Sequence, residues 1–127
     1  MLRLSLVCLA LSALPVAAQE YVVGGYAAFI GQEDLFNSRG ARLTDAASVL
    51  RQDRANVHRF GIVHVGDQGD PWFFQPAARE AMARMLANGG GIHPQVARMI
   101  VAGGVPVYVT VFAVNGNFTS LRVDIPG

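Results

Sequence analysis

The chain has 127 residues, ten arginines, no lysine, nine acidic residues and one cysteine, Cys8. That is the size of one domain with one core, and the near-neutral charge excludes a general pull toward nucleic acid or an anionic membrane surface. Without lysine there is no Schiff-base chemistry, and a lone cysteine forms no internal disulfide.

The first stretch, MLRLSLVCLALSALPVAAQE, reads as a cleaved leader. Arg3 supplies the positive start, Leu4 to Leu14 the apolar run, Pro15 the break, and Val16-Ala17-Ala18 the small residues of a cleavage site. The run is too short for a permanent membrane span. Cleavage after Ala18 leaves 127 − 18 = 109 residues, 19–127, as a single domain. Lipidation at Cys8 is the competing reading, disfavoured by the bulky Val7. Arg3 and Cys8 leave with the leader, so nine arginines balance nine acids and no thiol remains. A bacterial periplasm is the expected location, with secretion second. The exclusive use of arginine looks like coding bias rather than chemistry.

YVVGGYAAFIG (21–31) is rich in aromatic and β-branched residues and predicts a strand, with a bulge or close approach at Gly24-Gly25. Asn37-Ser38-Arg39-Gly40 forms a turn, and Thr44 or Asp45 caps a helix running to about Phe60. A loop follows, with a short strand expected at 62–65. Pro76 opens a second helix that stops at Asn88-Gly89-Gly90-Gly91, and Pro94 opens a third that Gly103-Gly104 closes. VPVYVTVFAV and FTSLRVDI flank Asn115-Gly116-Asn117, the signature of a β-hairpin. The first of these strands is apolar on both faces and therefore central; the second alternates like an edge. The expected fold is α+β: a small antiparallel sheet, built from the N-terminal strand and the C-terminal hairpin, with about three helices on one face. Tyr108, Thr110 and Phe112 would then face away from the helices, to be covered by a homodimer interface or by the long loop.

At 100° per residue, Ala46, Val49, Leu50, Val57 and Phe60 fall on one stripe of the first helix, and Asp53 projects from its middle. A buried carboxylate needs a partner or a proton. Arg42, Arg79, Arg84 and Arg98 are candidate partners in a structural pin; a general base lining a pocket is the functional alternative. Arg51, Arg54 and His58 gather on one flank, Gln52, Asn56 and Arg59 on the other. The first flank is either a solvated face or a grip for a phosphate, a carboxylate or an acidic glycan.

His58, His64, Asp67 and Asp70 supply donors for a divalent ion, but without a familiar ligand spacing, and Asp and Gly are ordinary turn residues. His64, Asp67 and Asp70 are the weak metal candidates. DPWFF (70–74) places Trp72 and Phe73 either as a plug beneath the loop or as an exposed anchor. Asn117-Phe118-Thr119 matches a glycosylation sequon but sits in a hairpin turn. Phosphate-binding, dinucleotide, metalloprotease and nucleophile-elbow motifs are absent, and no cofactor is implied.

The reading this supports is an exported binding domain without enzymatic activity. Its contact surface is expected at Arg51, Arg54, His58, Trp72 and Phe73, facing a periplasmic protein or a small anionic ligand. The alternative is a small hydrolase or metal-dependent enzyme centred on Asp53, His58 and His64.

Overall fold

The computed structural model describes residues 10–14 and 16–127. Arg3, Cys8 and Pro15, on which the leader reading leans, lie outside the described residues. Among those described, no helix is long and apolar enough to cross a membrane.

In chain order the elements are β1 (Tyr21–Ile30), a 3-10 turn (Gln32–Leu35), α1 (Ala46–Ala55) continued by a π-helical turn (Asn56–Phe60), α2 (Pro76–Asn88), α3 (Pro94–Ala102), β2 (Val105–Val114) and β3 (Asn117–Asp124). The strands form one antiparallel sheet in the order β1-β2-β3, which is the expected α+β fold with β2 at the centre. Asn115 and Gly116 both have positive φ, 51° and 81°, as a two-residue hairpin turn demands. The bulge expected at the glycine pair appears as a register shift between Val22 and Gly24.

Helix starts are set by side-chain caps at α1 and α3 and by proline, which carries no N–H, at α2 and α3. Asp45 accepts from the Ser48 N–H at 2.9 Å at the head of α1. Pro76 and Pro94 stand at the start of α2 and α3, and His93 Nδ1 accepts from the Gln95 N–H. Gly103 and Gly104, both at positive φ, end α3, and the Gly104 N–H donates to the Ile30 carbonyl. That bond ties the end of α3 to the end of β1.

The core lies between the helices and one face of the sheet. Tyr26, Ala28 and Ile30 of β1 and Val107, Val109, Val111 and Ala113 of β2 are buried there with Val49, Leu50, Phe73, Met82 and Ile100. Leu121 and Val123 of β3 point inward while Arg122 and Asp124 point out, the alternation of an edge strand with one wet face.

Two expectations need correction. Residues 62–65 form no strand. The chain there turns through Gly61 and Gly66, both at positive φ, and side chains then replace a ladder. Gln68 exchanges a pair of bonds with Ala27, its side-chain oxygen accepting at 2.8 Å and its own N–H donating at 2.9 Å, and Asp67 accepts from the Phe29 N–H at 2.8 Å. The loop therefore lies along the edge of β1, and it leaves Tyr108 41 % exposed on the outer face rather than covering it. The second correction concerns Phe60. Helical periodicity puts it on the apolar stripe, but it is 44 % exposed, because the wider π turn rotates the last residues away from the α-helical register.

The outer edge of β3 is closed by the chain as well. Gly91 accepts from the Val123 N–H at 2.9 Å, and Ile92 bridges to Val123. Glycine is required at 91 because a Cβ there would run into the Leu121 carbonyl. Loops thus cover part of each edge of this small sheet, at Ala27 and Phe29 on β1 and at Val123 on β3.

Candidate functional site

α1 packs against α2, α3, the 3-10 turn and β1. A helix surrounded in this way buries more than one stripe, and Asp53 and Arg54 are both wholly buried. Arg54, assigned to the solvent-facing flank on helical periodicity, is therefore an interior residue. It is also the partner of Asp53, in place of Arg42, Arg79, Arg84 or Arg98. The Arg54 Nε donates to Asp53 at 2.7 Å, and one terminal nitrogen donates to Asp70 and to the Gln68 carbonyl, both at 2.9 Å. The guanidinium carbon lies 4.0 Å from the centre of the Tyr26 ring. The other four arginines serve elsewhere: Arg42 and Arg79 donate to backbone carbonyls, Arg84 approaches Glu80, and Arg98 is exposed.

Asp70 is the second hub. One carboxylate oxygen accepts from the Trp72 and Phe73 N–H groups at 2.8 and 2.7 Å; the other accepts from Arg54 and lies 2.7 Å from His58 Nε2. The turn so fixed drives Phe73 into the core at 1 % exposure, so Phe73 plugs the core and is no surface anchor. Trp72 is half-buried, with its ring against Gly24 and edge-on to Phe118. His58 packs edge-on to the exposed Phe74 ring, and Arg51 pairs with Glu80 at 2.9 Å.

His64 belongs to a separate cluster. Its Nε2 lies 2.7 Å from Glu33, its Nδ1 3.3 Å from Asp67 and 3.6 Å from Asp34, while Asp67 accepts from the His64 N–H. Asp34 accepts from the Gly31 N–H and from the Asn56 amide, and Asn56 accepts from Gln52. Asp53 and His58 thus belong to one network through Arg54 and Asp70, while His64 bonds in the other cluster. Of the metal candidates, His64 and Asp67 come together while Asp70 is engaged by Arg54 and His58. Among the described residues no group of three or more His, Cys, Asp or Glu is arranged to hold a metal ion.

One cation shared by two buried carboxylates leaves an unequal division of charge. Burial favours the protonated form of Asp70, but His58, Arg54 and two backbone N–H groups outweigh it and hold its pKa low. Asp53 has only Arg54, and burial pushes its pKa up to about 7 against that attraction. Burial also raises Asp34, with Asn56 and Gly31 opposing. The Glu33 hydrogen bond raises His64 despite partial burial.

Beside this buried network, the 3-10 turn, the segment after it and the polar flank of α1 enclose a surface groove of about 450 Å³. Glu33, Phe36, Asn37, Ser38, Gln52, Asn56, Phe60 and Ile62 line it. The Asn37 side-chain oxygen is used by two backbone N–H groups and the Gln52 amide nitrogen by Asn56. The Asn37 amide nitrogen, the Ser38 hydroxyl and the Gln52 oxygen have no partner among the described residues. A groove of about 500 Å³ beside β3 is larger, but it is built on Gly89–Gly91 and a strand edge already paired through Val123. The sequence marks the first groove only indirectly, through Asn37-Ser38 in a turn and Gln52 and Asn56 together on one helix flank. Against known families, curated proteins and solved structures, the chain finds no match.

Two outcomes test the network. Arg54→Met should destabilise the protein by about 4 kcal/mol, because Asp53, Asp70 and the Gln68 carbonyl all lose their donor; Asp53→Asn should cost much less. A urea titration giving equal losses for the two would remove Arg54 from the centre. The second outcome is pH-dependent. Asp53 and His64 both have raised folded-state pKa values, so each binds its proton more tightly folded than unfolded. Stability should fall as pH rises from about 4 to 8, with Asp53 accounting for about 4 kcal/mol. Unfolding curves of Asp53→Asn should show a visibly shallower slope, and an unchanged slope would contradict the assignment.

Proposed function

We propose that this chain is an exported binding domain without enzymatic activity, and that its ligand occupies the groove between the 3-10 turn and α1. The observation that carries this is the state of the polar groups. In the interior, Asp53 Oδ1, Arg54 Nη2 and His64 Nδ1 are the buried side-chain atoms without a partner among the described residues, and none of them is open to a ligand; in the groove, Asn37, Ser38 and Gln52 keep hydrogen-bonding capacity unused between the part-exposed rings of Phe36 and Phe60. Amide and hydroxyl groups between two apolar walls suit a small, uncharged ligand that presents hydroxyl or amide groups beside an apolar face, such as a sugar residue.

This replaces the anionic ligand suggested by the Arg51, Arg54 and His58 flank. Arg54 is buried, Arg51 is paired with Glu80, and the one charged side chain lining the groove is the acidic Glu33. The enzymatic alternative centred on Asp53, His58 and His64 draws no support from a geometry in which Asp53 and His58 are engaged by Arg54 and Asp70 and His64 lies in the other cluster. Export rests on the leader-like residues 1–18.

Titrating isotope-labelled protein with neutral mono- and disaccharides should shift the backbone amides of residues 36–38 and 52–56, and Gln52→Ala should weaken binding about fivefold. Shifts confined to Arg51 and His58, produced by anions alone, would defeat the proposal. For export, the intact mass of protein from a periplasmic extract should correspond to a chain beginning at Gln19. Full-length chain retained in the cytosol would dispose of that part.

A further inference from the structure

The outer face of the sheet is largely apolar and carries the Arg122–Asp124 pair, with Glu20 bonded to Thr119 and Ser120 at one end. The Tyr108 ring lies down across β1 at Gly25, where a Cβ would meet its Cε1 and Oη at 2.7 Å. The buried Thr110 sits beside it, and the Arg122 guanidinium lies 5.5 Å from the centre of the Phe112 ring. Val22 remains 59 % and Tyr108 41 % exposed. Aromatic and β-branched side chains held flat in this way match the centre of an interface better than a wetted surface.

We infer that this face is the contact between two copies of the chain, stacked face to face about a two-fold axis that lies between the sheets and runs across the strands. The charges select a second copy as occupant. Arg122 and Asp124 stand two residues apart on one face of β3, 3.0 Å from each other. A two-fold axis crossing β3 near residue 123 sets each Arg122 opposite the partner's Asp124, so the surface is complementary to itself. Association edge to edge is obstructed at Val123 of β3, which Gly91 and Ile92 already hold, and at Ala27 and Phe29 of β1, which Gln68 and Asp67 hold.

The size of the face sets the strength. Three strands about 30 Å long and 4.8 Å apart present roughly 400 Å² of sheet. Counted on both copies that is roughly 800 Å², below the range of stable dimers, so a weak contact that dissociates at about 0.1 to 1 mM is expected.

Sedimentation over a wide concentration range should show a monomer–dimer equilibrium. Tyr108→Arg should weaken it at least tenfold without lowering the melting temperature, since the ring lies outside the core. Arg122→Asp alone and Asp124→Arg alone should each weaken association, and the double reversal should restore it. Fluorescence mixing adds a stricter requirement: the double-reversed protein should pair with itself but not with wild type, because mixed pairs set like charges together. A strict monomer at millimolar concentration would overturn the inference. So would a dimer indifferent to Tyr108→Arg, or one in which the double-reversed chain mixes freely with wild type.

Discussion

A single buried guanidinium fixes the relation between the parts of this fold. Arg54 rises from α1, rests on the Tyr26 ring of β1 and binds the loop at Gln68 and Asp70. Removing a guanidinium from water costs several kcal/mol, which is recovered only if every partner is in place at once. Helix, sheet and loop therefore cannot shift independently. The constraint also travels onward: Asp70, held by Arg54, orients the N–H groups of Trp72 and Phe73, and the Phe73 and Phe74 carbonyls accept from Arg79 at the head of α2. An irregular loop acquires a defined path because charged side chains hold it at both ends.

The excess of acid over base inside the network has its own consequence. Asp70 has four donors and keeps its charge easily; Asp53 has one bonded donor and carries the strain of burial. The protein so assembled is better matched to mildly acidic than to alkaline water. His64 moves the same way for a different reason, as an imidazole among three carboxylates. Two clusters with different chemistry thus tilt stability in one direction.

Local chemistry made most of the fold legible. Proline at helix starts, paired glycines at helix ends and Asn115-Gly116 between two apolar runs each act within a few residues, and each element lies where those signals put it. Asp53 was legible as an anomaly for the same reason, since a stripe is a local pattern. Its partner was not. Helical periodicity assumes one buried side, and under that assumption Arg54 belongs to solvent; only the packing of α1 on several neighbours turns a second side inward. Gln68 and Asp67 were hidden for a related reason. They replace a ladder strand with side-chain oxygens, and no residue pattern distinguishes that use from an ordinary turn. The groove residues were visible as types and places, but what marks them is unused bonding capacity, a property that exists only after every other group has found its partner.

That last property separates structural polarity from the kind available to a ligand. A small chain with one cysteine has no internal disulfide to tie its loops, and here polar side chains tie them instead. Arg42 reaches the Val101 carbonyl, Arg79 the Phe73 and Phe74 carbonyls, Asp70 the Trp72 and Phe73 N–H groups, and Gln68 the Ala27 N–H. Side chains so used are fixed in direction and lose the freedom to bind anything else. Their charge and burial would draw attention first in any search for a site, yet full engagement is what removes them from it. Asn37, Ser38 and Gln52 are uncharged and easily overlooked, but they stand where the interior bonding stops. In a domain held together by polar contacts, the groups left over, rather than the most perturbed ones, mark where a ligand is met.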